Sequence, residues 1–539
     1  MKRSLLLLPL AALTLSPAAA QQATTPDEAA LRAHIAYLSS DAMQGRAPFS
    51  PEYRTAADYT AKQFAAAGAV AGGVDDSFFQ PVPLVRVVPD GRGTMTLQRD
   101  GKATALVFGE DFVSLGSPLP GKSATAGEVV FAGYGVVDAS SGLDDYAGLD
   151  VTGRIVAVLG GAPQGLHSEV AAHFGSIQAK AMLAAARGAK GVLVLVPPAQ
   201  EKQASLAKIV AQWERGATTW AKEGVPATSA PDTPVVGFVT AAGAGKLFAG
   251  TPLDLAKIAA AAAAGKPIPR GPLGTNLSVA QKFTVQPLGT SDNVVAVIEG
   301  SDPALRDEYV VLSAHLDHIG VDKDAKPGAD AINNGAMDNA LGVGSLIEVA
   351  REFQRSGKRP RRSVMLLAVT AEEMGLIGSD YFARNPTVAK ASLVAEINLD
   401  MPVMTFDFVD LVALGGDRSS IGPVAAKVAG DLGFKLVPDP SPELAFFVRT
   451  DHYSFVKQGV PSISLDTGPG GPGQAAITDF LESHYHQPSD EVGLIDMSAA
   501  RDFVRVNYGI ARAIADADAR PVWNKGDFFG DMFGGGGAD

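Results

Sequence analysis

Beyond about residue 290 the chain alternates short, continuous apolar runs with longer stretches of helical periodicity. Residues 293–298, 309–313, 363–369, 392–397 and 461–465 read as strands, and 341–355 as a helix between two of them. Strands that are apolar on both faces belong to a sheet covered by helices on both sides. The pattern therefore predicts an α/β domain with a doubly wound, mixed, mostly parallel sheet. Upstream the texture differs. Leu31, Ile35 and Leu38 share one face of a helix over 27–39, Gly45-Arg46-Ala47-Pro48 interrupts the pattern, and 53–67 resumes a helix. From about Thr94, short strands separated by Gly, Asp and Pro turns take over, with a helix over 177–187 and a buried strand over 191–196. Residues 240–264 read as largely one Ala-rich helix whose alanines pack rather than react.

Composition narrows this picture. A chain of 539 residues is too long for one ordinary domain, so two are expected. A net charge of −13 excludes nucleic acid as a partner, because phosphate binding needs a basic face. Lys2-Arg3, an apolar run over 5–15 and Ala18-Ala19-Ala20 predict a signal peptide over 1–20. The run is shorter than the roughly 20 residues of a membrane span, so no stable membrane anchor is expected. The mature protein is then periplasmic or extracellular. With no cysteine the chain has neither disulfides nor a lipoprotein anchor. The Gly-rich end, 521–539, is expected to be a disordered tail, and the run of glycines and prolines over 468–473 a flexible loop.

Five short segments carry the chemistry: Ser313-Ala314-His315-Leu316-Asp317, Gly335-Ala336-Met337-Asp338-Asn339, Thr370-Ala371-Glu372-Glu373, Asn398-Leu399-Asp400-Met401 and Tyr485-His486-Gln487-Pro488-Ser489-Asp490. Most follow the carboxyl ends of predicted strands, where sites of open α/β sheets collect. Two histidines and three carboxylates suit two Zn²⁺ ions, one carboxylate bridging, and a further glutamate is left to take a proton. Asp317 is expected to accept the second ring N–H of His315 and set its tautomer, while His318 points elsewhere. Of the adjacent Glu372 and Glu373, one can bind metal and the other face substrate. Spacing alone does not choose between His484 and His486.

These segments, with Asn293-Val294-Val295-Ala296-Val297, Glu373-Met374-Gly375-Leu376-Ile377-Gly378-Ser379 and Arg449-Thr450-Asp451-His452, make the chain resemble the M28 family of zinc aminopeptidases, in the subgroup with an inserted protease-associated (PA) domain. The resemblance implies one zinc on His315 and Asp400, a second on Glu373 and His486, and Asp338 bridging, followed by a cis peptide to Asn339. It implies Glu372 as general base and peptides with a free N-terminus as substrates, cleaved by a water bridging the metals. It divides the chain into a first peptidase part over 27–115, a PA domain over 116–283 and the main peptidase part over 284–520. Phe447 stands where some relatives carry an oxyanion-stabilising tyrosine, so Arg449 or Tyr453 is the candidate replacement. Rival readings are a metallocarboxypeptidase or a one-zinc glutaminyl cyclase on the same scaffold, and a non-catalytic peptide-binding relative. The oligomeric state is not legible.

Overall fold

The computed structural model describes residues 25–197 and 206–534; the expected signal peptide lies outside them. Two long strands organise the chain. β1 (Phe79–Arg99) and β2 (Gly271–Ile298) pair antiparallel from Phe79 opposite Val294 to Gln98 opposite Asn276. This ribbon is long enough to take part in two domains, one at each end.

At the first end, the last residues of β2 edge a sheet with β3 (Tyr309–His315), β4 (Ser363–Val369), β5 (Leu393–Leu399), β6 (Asp410–Leu414) and β7 (Ser462–Thr467). The spatial order is β2–β4–β3–β5–β7–β6. The four inner strands are parallel and the two flanking ones antiparallel, which is the mixed, mostly parallel sheet expected. One face is covered by α1 (Glu28–Leu38), α2 (Pro51–Ala66), α4 (Leu341–Arg355) and α6 (Met497–Asp516), whose Leu31, Phe64, Ile347 and Phe503 are fully buried. Each such side chain contributes ~1.5–3 kcal/mol of burial. Three of these helices begin where the chain supplies a cap: Asp27, Ser50 and Asp496 accept the free N–H groups of the first turns.

At the other end, strands 124–131, 155–159, 191–195 and 235–239 run parallel, edged by the start of β2 and by 112–114. Met95, Leu97, Leu106 and Phe112 belong to this second core. The inserted unit therefore begins within β1, well before residue 116, because one continuous strand crosses from the first domain into the second. The segment 240–264 forms two helices, Ala241–Phe248 and Leu255–Ala263, because Asp254 caps a fresh start after Gly250. The glycine-rich segment before α5 (Gly473–Ser483) is held rather than loose: Gly470 N–H donates to Asp410 Oδ1 at 2.9 Å.

The C-terminal segment is not the disordered tail expected. Residues 521–534 are ordered, with α7 (Phe528–Phe533), because Trp523, Phe528 and Phe529 bury against Val136, Phe174 and Phe447. Only 535–539 of the expected disordered segment fall outside the described residues. No helix among the described residues is long and apolar enough to cross a membrane.

Candidate metal centre

The five segments meet at the carboxyl edge of the main sheet. His315 ends β3, Glu372 and Glu373 follow β4, Asp400 follows β5, Asp338 precedes α4, and His486 lies beyond α5. His315 Nε2 stands 3.1 Å from Asp338 Oδ1 and 3.0 Å from Asp400 Oδ1. His486 Nε2 stands 3.2 Å from Asp338 Oδ2 and 3.1 Å from Glu373 Oε2. Two groups of donors thus share one carboxylate, an oxygen apiece. His315, Asp338 and Glu373 by themselves offer ligand atoms all within 4.8 Å of one another. His484 is turned away and pairs with Ser489 at 2.9 Å.

The backbone is left-handed at His486 and beside Glu372 and Asp400. Ala371, Met401 and His486 have φ of 54°, 42° and 57°, a left-handed conformation rarely held by side-chain-bearing residues except where surroundings impose it. Gly335 adopts φ 59°, and a Cβ there would lie 2.2 Å from the Asp338 carbonyl oxygen. The Asp338–Asn339 peptide is cis, as the resemblance implies.

A surrounding layer holds the donors, and most of it went unread in the sequence. The Asp490 carboxylate accepts the N–H groups of Met337 (2.8 Å) and Asp338 (3.0 Å). His318 does not point elsewhere: it is buried, and its Nδ1–H donates to Glu373 Oε1 at 2.7 Å. Asp317 departs from its expected task. The His315 ring donates to the Asp317 backbone carbonyl (3.1 Å), whereas the Asp317 carboxylate accepts the N–H groups of Glu372 (3.1 Å) and Glu373 (3.3 Å). It shapes the Glu372–Glu373 turn instead of the imidazole. Arg46, from the stretch that merely interrupts the helical pattern, is fully buried and donates to five carbonyl groups around the site. The place of Asp490 at the end of the 485–490 segment was a signal for it; Arg46 carried none.

The charges divide the carboxyl groups. Burial disfavours ionised Asp338, but hydrogen bonds from His315 and His486 outweigh it and hold the group well below the usual range. Burial pushes Glu372 well above it, with Asp400 and Asp451 adding and His315 opposing. His486 is raised to about 10 against the effect of burial, by hydrogen bonds to Asp338 and Glu373. Oxygen and imidazole donors gathered in this way suit a divalent zinc ion.

A cavity opens onto the donors. Glu372 lines it, and among the described residues its carboxylate forms no hydrogen bond or ion pair with any of the histidines. Arg449 and Tyr485 line it as well, the Tyr485 ring lying 3.9 Å from that of His486. Tyr453 does not. It is buried, and its hydroxyl is bonded to His173 of α3 (Ser168–Gly175) in the inserted unit. Phe447 is likewise buried, against His452 and Phe529.

The arrangement is a candidate metal site at the carboxyl edge of a mostly parallel α/β sheet, the edge at which sites of such sheets collect. Residues 293–511 match Peptidase family M28, which bears out the M28 part of the resemblance; the matched span does not include the unit expected to be a PA domain. A probable glutamate carboxypeptidase AMP1 of Arabidopsis thaliana is 33% identical over 198 residues, 34% of this chain and 25% of that protein. A probable leucine aminopeptidase 2 of Aspergillus oryzae is 26% identical over 220 residues, 38% of this chain and 40% of that protein. The chain thus spans well under half the length of these curated relatives. Among solved structures, an aminopeptidase from Aneurinibacillus sp. strain AM-1 aligns over 92% of this chain and 95% of its own, with a TM-score of 0.45 and 20% identity.

Proposed function

We propose that the protein is an exported dizinc aminopeptidase of the M28 type that removes N-terminal residues from peptides. The observation that carries this reading is the single Asp338 carboxylate shared between two donor groups, with Glu372 beside them and outside both. His315 and Asp400 would hold one zinc ion, His486 and Glu373 the other, with Asp338 common to both. Bound there, two such ions supply Lewis acidity and an acidified water. Glu372 accepts the water's proton and returns it to the departing amine nitrogen. The carboxylates of Glu372 and Asp400 attract the substrate's α-ammonium group to this end of the cavity. Tyr485 or Arg449, in place of Tyr453, stands ready to donate to the acyl oxygen. His318, Asp317 and Asp490 hold the donors and the base in register. The unit carried on the β1–β2 ribbon is, in this reading, the PA domain.

One observation favours a second reading. Arg449 places a cation in the cavity, and a carboxypeptidase needs one to bind the substrate's terminal carboxylate. The two are separated by assaying free-amino and N-acetylated peptides with and without chelator, together with metal content. Chelator-sensitive release of N-terminal residues, blocked by acetylation, with two zinc ions per chain, is expected. Cleavage of acetylated peptides from the far end would overturn the aminopeptidase reading, and bound metal without hydrolysis would overturn both.

A further inference from the structure

The cavity holds a further carboxylate, Asp466, one strand beyond the strand that Asp400 follows. Successive strand residues alternate faces, and β7 turns Ser464 and Asp466 to the same side, opposite Leu414 and Val412 of β6. Both reach the cavity, whose walls beside them are apolar: Met401, Val403, Leu414 and Ile477. The Asp466 carboxylate accepts the N–H of Thr467 at 2.6 Å and the backbone N–H of Val403. Among the described residues no cation pairs with it. Arg449, which lines the same cavity, instead donates to the Leu444 carbonyl at 3.4 Å and lies over the Phe446 ring at 5.6 Å.

A carboxylate between apolar walls is costly unless a cation joins it. Burial raises its pKa to about 7, and the charge of Asp400 adds to that. The α-ammonium of a bound peptide must lie next to the scissile carbonyl, where Glu372 and Asp400 already serve it. Asp400 follows β5, and Asp466 sits on β7, the next strand away from β3 and His315. A second cation of the substrate is what Asp466 is placed to meet.

We propose that Asp466 determines specificity, receiving the ammonium or guanidinium head of a lysine or arginine at the peptide's N-terminal position while Met401, Val403 and Leu414 hold the aliphatic stem. Long basic side chains suit such a site, since their methylene stems pack on apolar surface and only the tip needs a charged partner. The inference rests on the aminopeptidase reading above.

The test compares kcat/KM for free-amino peptides beginning with lysine, arginine, norleucine or leucine, in the wild type and in Asp466→Asn. Norleucine keeps the lysine stem without the charge, and asparagine keeps an acceptor for the Thr467 N–H. The wild type is expected to prefer lysine to norleucine by about tenfold or more, and Asp466→Asn to abolish that preference with norleucine changed less than about threefold. An equal loss on all four peptides, or a wild type that favours norleucine, overturns the assignment. Should Asp466→Asn fail to fold, lysinamide and norleucinamide are compared as competitive inhibitors of the wild type. Lysinamide is expected to bind about tenfold tighter, and parity overturns the proposal. Release of norleucine without a preference for lysine defeats only the role of Asp466. No N-terminal release of any kind defeats the aminopeptidase reading, and this proposal with it.

Discussion

Replacing Arg46 with methionine should damage the site without touching a single metal donor. The guanidinium donates to the carbonyl oxygens of Asn334 (2.5 Å), Leu316 (2.8 Å), Gly335 (2.8 Å), Leu38 (3.1 Å) and Asp338 (3.3 Å). It thereby ties the end of α1 to the loop after His315 and to the turn that presents Asp338. At ~1.5–3 kcal/mol per charge-assisted bond, simple addition gives on the order of 10 kcal/mol. That sum overshoots, because bonds to one side chain are not independent. Burial also works against the cation, with Asp338, Asp490, Asp317 and Glu373 countering it. Removing one partner from a buried charged network costs ~3–5 kcal/mol, and that is the expected loss. At ~2–4 °C per kcal/mol, the melting temperature should fall by about 10 °C. Calorimetry in the presence of zinc, followed by metal analysis after dialysis, reads both stability and site integrity. Arg46→Lys should recover only part of the loss, since a compact ammonium cannot span five carbonyls. Arg54→Ala is the control: that side chain is 51% exposed and pairs with Asp58 and Asp292, so less than about 1 kcal/mol is at stake. If Arg46→Met melted within about 2 °C of wild type and kept its metal, the clamp would be refuted.

Further outcomes are expected at the site and at the domain contact. Glu372→Gln should lower kcat by ~10²–10⁴-fold while metal content stays the same, and ordinary turnover in that variant would remove Glu372 as the base. Tyr485→Phe should reduce kcat ~10²-fold with little change in KM, whereas Tyr453→Phe should leave kcat within about threefold; the reverse order would return the oxyanion role to Tyr453. His173 supplies a pH dependence. Burial lowers its pKa from 6.5 to about 4, with Lys457 and Lys180 adding to that. Above the unfolded value both states are neutral and the fold keeps its full stability. As pH falls through 6.5 toward 4 the unfolded chain takes up the proton first, and ~3 kcal/mol is lost across that window. Urea midpoints between pH 7 and 4.5 should therefore fall more steeply in the wild type than in His173→Phe; parallel curves would show that His173 does not titrate this way.

Much of the main domain was legible because its signals are local. Strands buried on both faces show as unbroken apolar runs, and 309–313 and 363–369 became the central β3 and β4. The donors were legible because their residue types are rare inside apolar sequence and sit just past strand ends. The tail misled because its glycines dominate the composition. Trp523, Phe528 and Phe529 nonetheless find partners in Phe174 of the inserted unit and Phe447 of the main domain, and composition cannot report partners so far along the chain. The start of the second core is hard to read for a related reason: a strand that crosses two domains leaves no break in periodicity at the crossing.

The sequence by itself determined the class of fold, the residue types at the metal centre and the strand ends that carry them, since periodicity and residue chemistry act over a few residues. Tertiary structure decided which atoms do which work. Only the folded chain turns the Asp317 carboxylate to the Glu372–Glu373 turn instead of the His315 ring, brings His318 onto Glu373, withdraws Tyr453 into a domain contact and sets Arg46 beneath the Asp338 turn. Those outcomes depend on ångström-scale competition between groups up to hundreds of residues apart, each buried polar atom having to find a partner where water is excluded.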